Sequence, residues 1–268
     1  MTSGINPFQM PFGSILHMFE YVSTTTADDR QVNFDNTYLS RLGFKLLGIP
    51  HFGLRLRARR IMRNVPRRVT SMLDAGFGTG VYSFTLADRV SSINAIDVDS
   101  KKVRYVTKMN NNLFGNIQFK TMDLTDLPFA NSSFDLIICS DVLEHIKEDE
   151  LAFYHLGRVL KRGGTLLITV PYDSKKNRAT YHHYHHERPG YTEPKIQDLC
   201  TKNGLTLEKA EGYSYSFADK VSDIGGALFD KKIILIVFFS VLYPLAIISE
   251  FLPINQDPNG IFFRIIKR

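Results

Sequence analysis

Three kinds of residue in this 268-residue chain are spaced for chemistry: glycines packed into one short stretch, carboxylates at the ends of apolar runs, and histidines crowded into one segment. The glycines fall in Asp74-Ala75-Gly76-Phe77-Gly78-Thr79-Gly80, directly after an apolar run. Lacking Cβ atoms, such a stretch turns sharply and lets a ligand approach the backbone. A helical pattern follows, and the free N–H groups of its first turn would point toward that ligand. A dinucleotide fingerprint would need its third glycine at position 81, where Val81 stands. The spacing is instead G-x-G-x-G, with the acid Asp74 two residues ahead of the first glycine.

Asp97 ends a second apolar run in Ala95-Ile96-Asp97-Val98-Asp99. A carboxylate placed there can accept both hydrogen bonds of a ribose diol. Asp99 competes for the role, but it lies past the run, where it suits a helix N-cap. Four of the eight histidines, His182, His183, His185 and His186, lie between Tyr181 and Tyr191. Histidine titrates near neutrality, so His182 or His186 could take the proton of a hydroxyl acceptor. The same segment could bind a metal or form a polar lid, and His145 is an alternative contact. No His-Glu-x-x-His and no Cys/His set with zinc spacing is present, so no metal site is expected. Cys139 and Cys200 read as small core residues in a reducing compartment.

The elements that must position these groups alternate in type from residue 69 onward, the pattern of βαβ units and a parallel sheet. Strands are expected at Val69–Asp74, Ile93–Asp97, Ile117–Met122, Phe134–Ser140, Thr165–Val170, Thr206–Tyr213 and Ile261–Lys267. Helices are expected around Gly80–Arg89, Lys101–Leu113, Glu148–Leu160 and Glu193–Asn203. An earlier helix is expected over 54–65, with Leu54, Ala58, Ile61, Met62 and Val65 on one face and Arg55, Arg59 and Arg63 striping another.

These motifs, taken in order, resemble class I methyltransferases that use S-adenosylmethionine (SAM), of the small-molecule and lipid type. The likeness runs over roughly residues 69–170. The glycine loop resembles the family's first motif and Asp97 its ribose-binding acid. Asp123-Leu124, leading into Leu127-Pro128-Phe129, resembles the adenine-contacting segment. The run from Phe134 through Ser140 to Ile146 resembles the fourth-strand motif, and Leu160 to Ile168 the turn that starts the fifth strand. The resemblance implies a doubly wound, seven-stranded, mostly parallel α/β sheet with an antiparallel last strand. It implies SAM as cofactor, held by Asp74, Gly76, Gly78, Gly80, Asp97, Asp123, Leu124 and Ser140. Because the sulfonium methyl is already activated, the protein mainly has to place an acceptor in line with it.

Residues 1–65 are expected to form a helical arm and 66–268 the methyltransferase domain, with a variable acceptor region at 171–260. The acceptor is expected to be a small or lipid-like molecule, methylated at oxygen. The net charge of +6 is concentrated in seven arginines between Arg55 and Arg68. That patch admits nucleic acid, anionic lipid or an acidic substrate. Nucleic acid is disfavoured, because Cys139-Ser140-Asp141 stands where an amino-methylating enzyme carries Asn or Asp before Pro-Pro. A SAM-binding partner subunit without activity is the further alternative. The apolar run 233–249 approaches the length of a membrane span, but Pro244 interrupts it. A single crossing would also part the last strand from its sheet. The run is therefore expected to be a monotopic membrane element, an acyl-pocket wall or a buried helix pair. A peripheral enzyme on a cytoplasmic membrane face follows, held by this run and by the arginine patch.

Overall fold

The computed structural model describes residues 52–110, 113–214 and 257–268. Its elements are α1 (Phe52–Asn64), β1 (Val69–Ala75), α2 (Val81–Leu86), β2 (Val90–Asp97), α3 (Ser100–Asn110), β3 (Ile117–Thr121) and β4 (Phe134–Ser140). They continue with α4 (Asp149–Val159), β5 (Leu160–Pro171), α5 (Lys175–Thr180), α6 (Glu193–Lys202), β6 (Leu205–Tyr213) and β7 (Gly260–Lys267). Short 3-10 turns lie at Leu143–His145 and Tyr181–Tyr184.

The seven strands form one sheet in the order β3-β2-β1-β4-β5-β7-β6. The first five pair in parallel, and β7 pairs antiparallel with both β5 and β6. Successive strand residues point to opposite faces, so an apolar strand feeds two cores at once. Met72, Leu136, Ile138, Leu167 and Phe262 face one core, where α1, α2 and α3 contribute Ile61, Phe84 and Val106. Leu73, Ile137, Cys139, Ile168 and Phe263 face the other, closed by Phe153 and Leu156 of α4 and by Ile196 and Leu199 of α6. Cys139 and Cys200 are buried free thiols in this second core, as their apolar surroundings in the sequence suggested.

All seven expected strands are present. Four begin earlier than expected, β2 at Val90 and β5 at Leu160 by several residues, β6 at Leu205 and β7 at Gly260 by one. The start of β5 differs for a local reason. Leu160 pairs with Phe134 but Thr165 pairs with Leu136, so the intervening residues bulge, with Gly163 at φ +76°. The expected turn therefore lies within the strand instead of ahead of it. The helix at Lys175–Thr180 was not foreseen; Ser174 starts it by accepting from the Asn177 N–H at 3.1 Å.

The chain runs from β1 out to β3 and then returns to place β4 on the other side of β1. A crevice opens at such a reversal, beyond the carboxyl ends of the strands. The glycine loop after β1 and the turn after β4 meet there. Residues 1–51, 111–112 and 215–256 lie outside the described residues, and with them the apolar run 233–249 and most of the N-terminal arm. Among the described residues, no helix is long and apolar enough to cross a membrane.

Candidate active site

The glycine loop is tied to the strand beside it. The N–H groups of Gly76 and Phe77 both donate to the Ile96 carbonyl, at 2.8 and 3.0 Å. Gly76 has φ +76°, and a Cβ there would lie 2.3 Å from Val142 Cγ2. Gly78 differs: φ is +54°, but no protein atom lies within 4 Å of a Cβ built on it. The space above Gly78 is the space a ligand would fill.

Asp97 sits at the carboxyl end of β2, only 7% exposed. Its Oδ2 accepts from the Gly78 N–H at 3.1 Å and its Oδ1 from the Asp99 N–H at 3.0 Å. Two backbone donors thus fix the carboxylate, and each oxygen keeps a second lone pair. Asp99 takes the helix-start role that its position suggested: its Oδ1 accepts from Lys101 and Lys102 N–H groups at 2.8 and 3.4 Å. Asp123 uses Oδ1 for the Thr125 N–H and hydroxyl, both at 2.8 Å.

These groups line one cavity of about 510 Å³, within the usual range for small-molecule sites. Gly76, Gly78, Asp97, Asp123, Leu124 and Ser140 all border it, and Val98, Met122 and Ile146 add apolar wall. Val98, on this wall, is 73% exposed and would be covered by a ligand seated there. Asp74 and Gly80 do not line the cavity. Asp74 is buried beneath the loop, where its Oδ2 accepts from the Ser83 hydroxyl at 2.6 Å and the Ser83 N–H at 3.1 Å. Burial pushes its carboxyl up to about 7, against the lowering effect of the two Ser83 bonds.

Beyond β4 and β5 the cavity wall becomes a polar network. Ser140 Oγ lies 3.2 Å from the Tyr82 hydroxyl and 2.8 Å from Thr169 Oγ1. Thr169 in turn donates to Asp141 Oδ1 at 3.3 Å. Asp141 has a left-handed backbone, φ +54°, and forms an ion pair with Arg57 of α1. Burial works against the Arg57 charge, but Asp141 beside it, together with Tyr213, Tyr82 and Glu144, more than offsets that, so the guanidinium pKa is raised. Arg60 also turns inward, donating to the Gly212 carbonyl at 3.2 Å and pairing with Glu211. The arginine-rich helix is thus not wholly a surface patch.

The histidine segment meets the same rim. His145 lines the cavity, and its Nδ1 lies 3.2 Å from the His185 carbonyl oxygen. The His186 ring stands perpendicular to that of His145, with centroids 4.6 Å apart. Burial, with the His145 charge adding to it, lowers the His186 pKa to about 4, so that imidazole is neutral at ordinary pH. His182 is exposed and lies against the Tyr181 ring, with centroids 3.7 Å apart, away from the cavity. Among the described residues, Glu144, His145 and His186 also form one group with ligand atoms within 4.8 Å of each other. Local spacing could not have shown that group, because it joins two segments distant in the chain.

The residues fit SAM. A turn open above Gly78 can take the amino-acid portion, Asp97 the ribose diol, and the Val98–Leu124 slot with Asp123 the adenine. Residues 73–168 match the family model described as a methyltransferase domain. An uncharacterized methyltransferase of Mycobacterium tuberculosis is 29% identical over 107 residues, 40% of this chain and 53% of its own length. A ubiquinone/menaquinone biosynthesis C-methyltransferase of Sinorhizobium fredii is 32% identical over 111 residues, 39% of this chain and 43% of its own. The chain therefore spans about half the length of the curated relatives it matches. In fold it is similar to phosphoethanolamine N-methyltransferase 2 of Haemonchus contortus in complex with S-adenosyl-L-methionine. That likeness has a TM-score of 0.60 at 16% identity, covering 89% of this chain and 61% of that one. The sheet is Rossmann-like, as in that structure. Over residues 73–168 the chain is similar to class I SAM-dependent methyltransferases.

Proposed function

We propose that the protein transfers the methyl group of SAM to an oxygen of a small or lipid-like acceptor. One observation carries this reading: a single cavity joins the open glycine turn, the fixed Asp97 carboxylate and the polar wall after β4. SAM supplies a sulfonium whose S–CH3 bond breaks with its electron pair retained by sulfur, as a new O–CH3 bond forms. The acceptor proton must then leave. The groups at hand are His145, on the cavity wall, and His186, set against it.

Asp97→Ala is expected to weaken SAM and its demethylated product alike by about 2 kcal/mol, since a ribose diol would lose its acceptor. Calorimetry measures this directly, and an unchanged affinity would move the ribose contact elsewhere. Incubating the protein with methyl-labelled SAM and lipid or metabolite extracts would find the acceptor. Tight SAM binding with no labelled product from any extract would favour the non-catalytic partner subunit.

We propose further that the enzyme works at the cytoplasmic face of a membrane. The support is the apolar run 233–249, with Lys231 and Lys232 before it. Each such lysine can add about 1 kcal/mol near anionic headgroups. Strands β6 and β7, which flank residues 214–259, are antiparallel neighbours in one sheet. The chain between them therefore starts and ends at one side of the fold, as a monotopic element requires. The protein should float with anionic liposomes in high salt. Remaining in the soluble fraction would make the run a pocket wall or a buried element.

A further inference from the structure

The turn after β4 and the histidine segment are fastened together by contacts that neither cofactor nor acceptor explains. The Glu187 N–H donates to the Glu144 carbonyl at 2.8 Å. Arg188 donates to the carbonyls of Ile146 and Lys147, at 2.6 and 3.0 Å, and pairs with Asp149. Tyr191 completes the clamp, its hydroxyl 2.9 Å from Asp149 and 3.1 Å from the Leu143 carbonyl. Three side chains converge inside it. Glu144 is 1% exposed, and its Oε2 is buried without a hydrogen-bond partner. An orphaned carboxylate oxygen is costly unless a cation or proton satisfies it.

The imidazoles beside it are set to do so. The Nδ1 of His145 faces a carbonyl oxygen, which can only accept, so in the neutral ring Nδ1 carries the hydrogen and Nε2 the lone pair. That backbone-carbonyl contact is the usual orienting partner of a metal-bound histidine. One ligand atom each from Glu144, His145 and His186 lie within 4.8 Å of one another. Donor atoms around a four-coordinate zinc ion lie about 3.3 Å apart, so small side-chain rotations would close the set.

We propose that Glu144, His145 and His186 bind a divalent transition-metal ion of the zinc type at the rim of the cavity. Two imidazoles with one carboxylate favour such an ion over magnesium or calcium, which prefer oxygen ligands. Three protein ligands leave a coordination position open, and His145 places the ion on the cavity wall. An acceptor hydroxyl bound there would lose its proton more readily. That role rests on the methyl-transfer reading; the binding of the ion rests on the side chains alone.

The test uses untagged full-length protein, stripped with a chelator and titrated with Zn²⁺ by calorimetry and with Co²⁺ by visible absorption. The expected result is one equivalent bound with a micromolar or tighter constant, and cobalt bands of a nitrogen- and oxygen-ligated ion. His145→Ala, His186→Ala and Glu144→Gln should each weaken binding at least tenfold, while SAM affinity in His186→Ala and Glu144→Gln, whose side chains do not line the cavity, stays within twofold. Should Glu144→Gln fail to fold, His186→Ala decides the matter, since that side chain is only partly buried. No zinc binding below millimolar concentration, or equal binding in the histidine variants, would overturn the proposal. SAM binding without zinc binding would sink the metal site alone. Zinc binding without SAM binding would sink the methyl-transfer reading and leave the site.

Discussion

Two glycines in one loop have opposite reasons to be glycine, and substitution separates them. Alanine at Gly76 would drive its Cβ into Val142, whose Cγ2 would lie 2.3 Å away, on a backbone with φ +76°. Gly76→Ala should therefore lower stability by about 2–3 kcal/mol, within the range for overpacking and backbone strain combined. Alanine at Gly78 meets no protein atom within 4 Å, so the cost to the fold is about 1 kcal/mol of left-handed strain. The added methyl would instead occupy cofactor space, so Gly78→Ala should bind SAM at least tenfold more weakly. Thermal melting with and without SAM checks both. The cofactor idea would suffer if Gly78→Ala kept its full SAM-induced stabilisation. The motif was legible because glycine spacing is a local property. What each residue does was not: Asp74, which the resemblance placed among the cofactor ligands, has its carboxylate bonded to Ser83 under the loop.

At the scale of elements, α1 is joined to the sheet by charge as well as by apolar packing. Ile61 and Leu56 are buried in the first core, and Arg57 reaches Asp141 after β4. Removing one partner of a buried pair costs 3–5 kcal/mol, but both side chains here are about a quarter exposed. Arg57→Met should therefore cost about 2 kcal/mol in urea unfolding. The double variant Arg57→Met/Asp141→Asn should recover part of that loss, because no charge is left unpaired. Additive losses would mean that the pair does not couple. The strands and helices were readable from periodicity, since an apolar pattern of period 2 or 3.6 is set within a few residues. The inward turn of Arg57 and Arg60 was not, because a helix pattern cannot say which polar residue finds a buried partner on a distant strand. The same limit hid the meeting of Glu144 and His145 with His186.

For the molecule as a whole, the buried Asp74 carboxyl links stability to pH. Its pKa is about 7 when folded, against about 4 in the unfolded chain. Between those values the folded state holds a proton that the unfolded state has released. Stability from this group is therefore full below about pH 4 and declines until pH passes about 7. Asp74→Asn should remove that slope: relative to the variant, wild type should lose stability from pH 5 to pH 8. Parallel urea midpoints for the two proteins across that interval would show that Asp74 is ionised throughout.

At the end of β6, the Ser214 carbonyl accepts from the Asn259 N–H at 3.0 Å. The chain on either side of residues 215–256 is therefore joined at one latch. The entropy of closing a loop grows only with the logarithm of its length, about 0.6 kcal/mol for each doubling. Descendants of this gene can thus lengthen, shorten or replace that whole stretch while the strands on either side keep their pairing. That stretch is in this sense an exchangeable cassette, open to selection while the strands and the cofactor cavity are inherited unchanged.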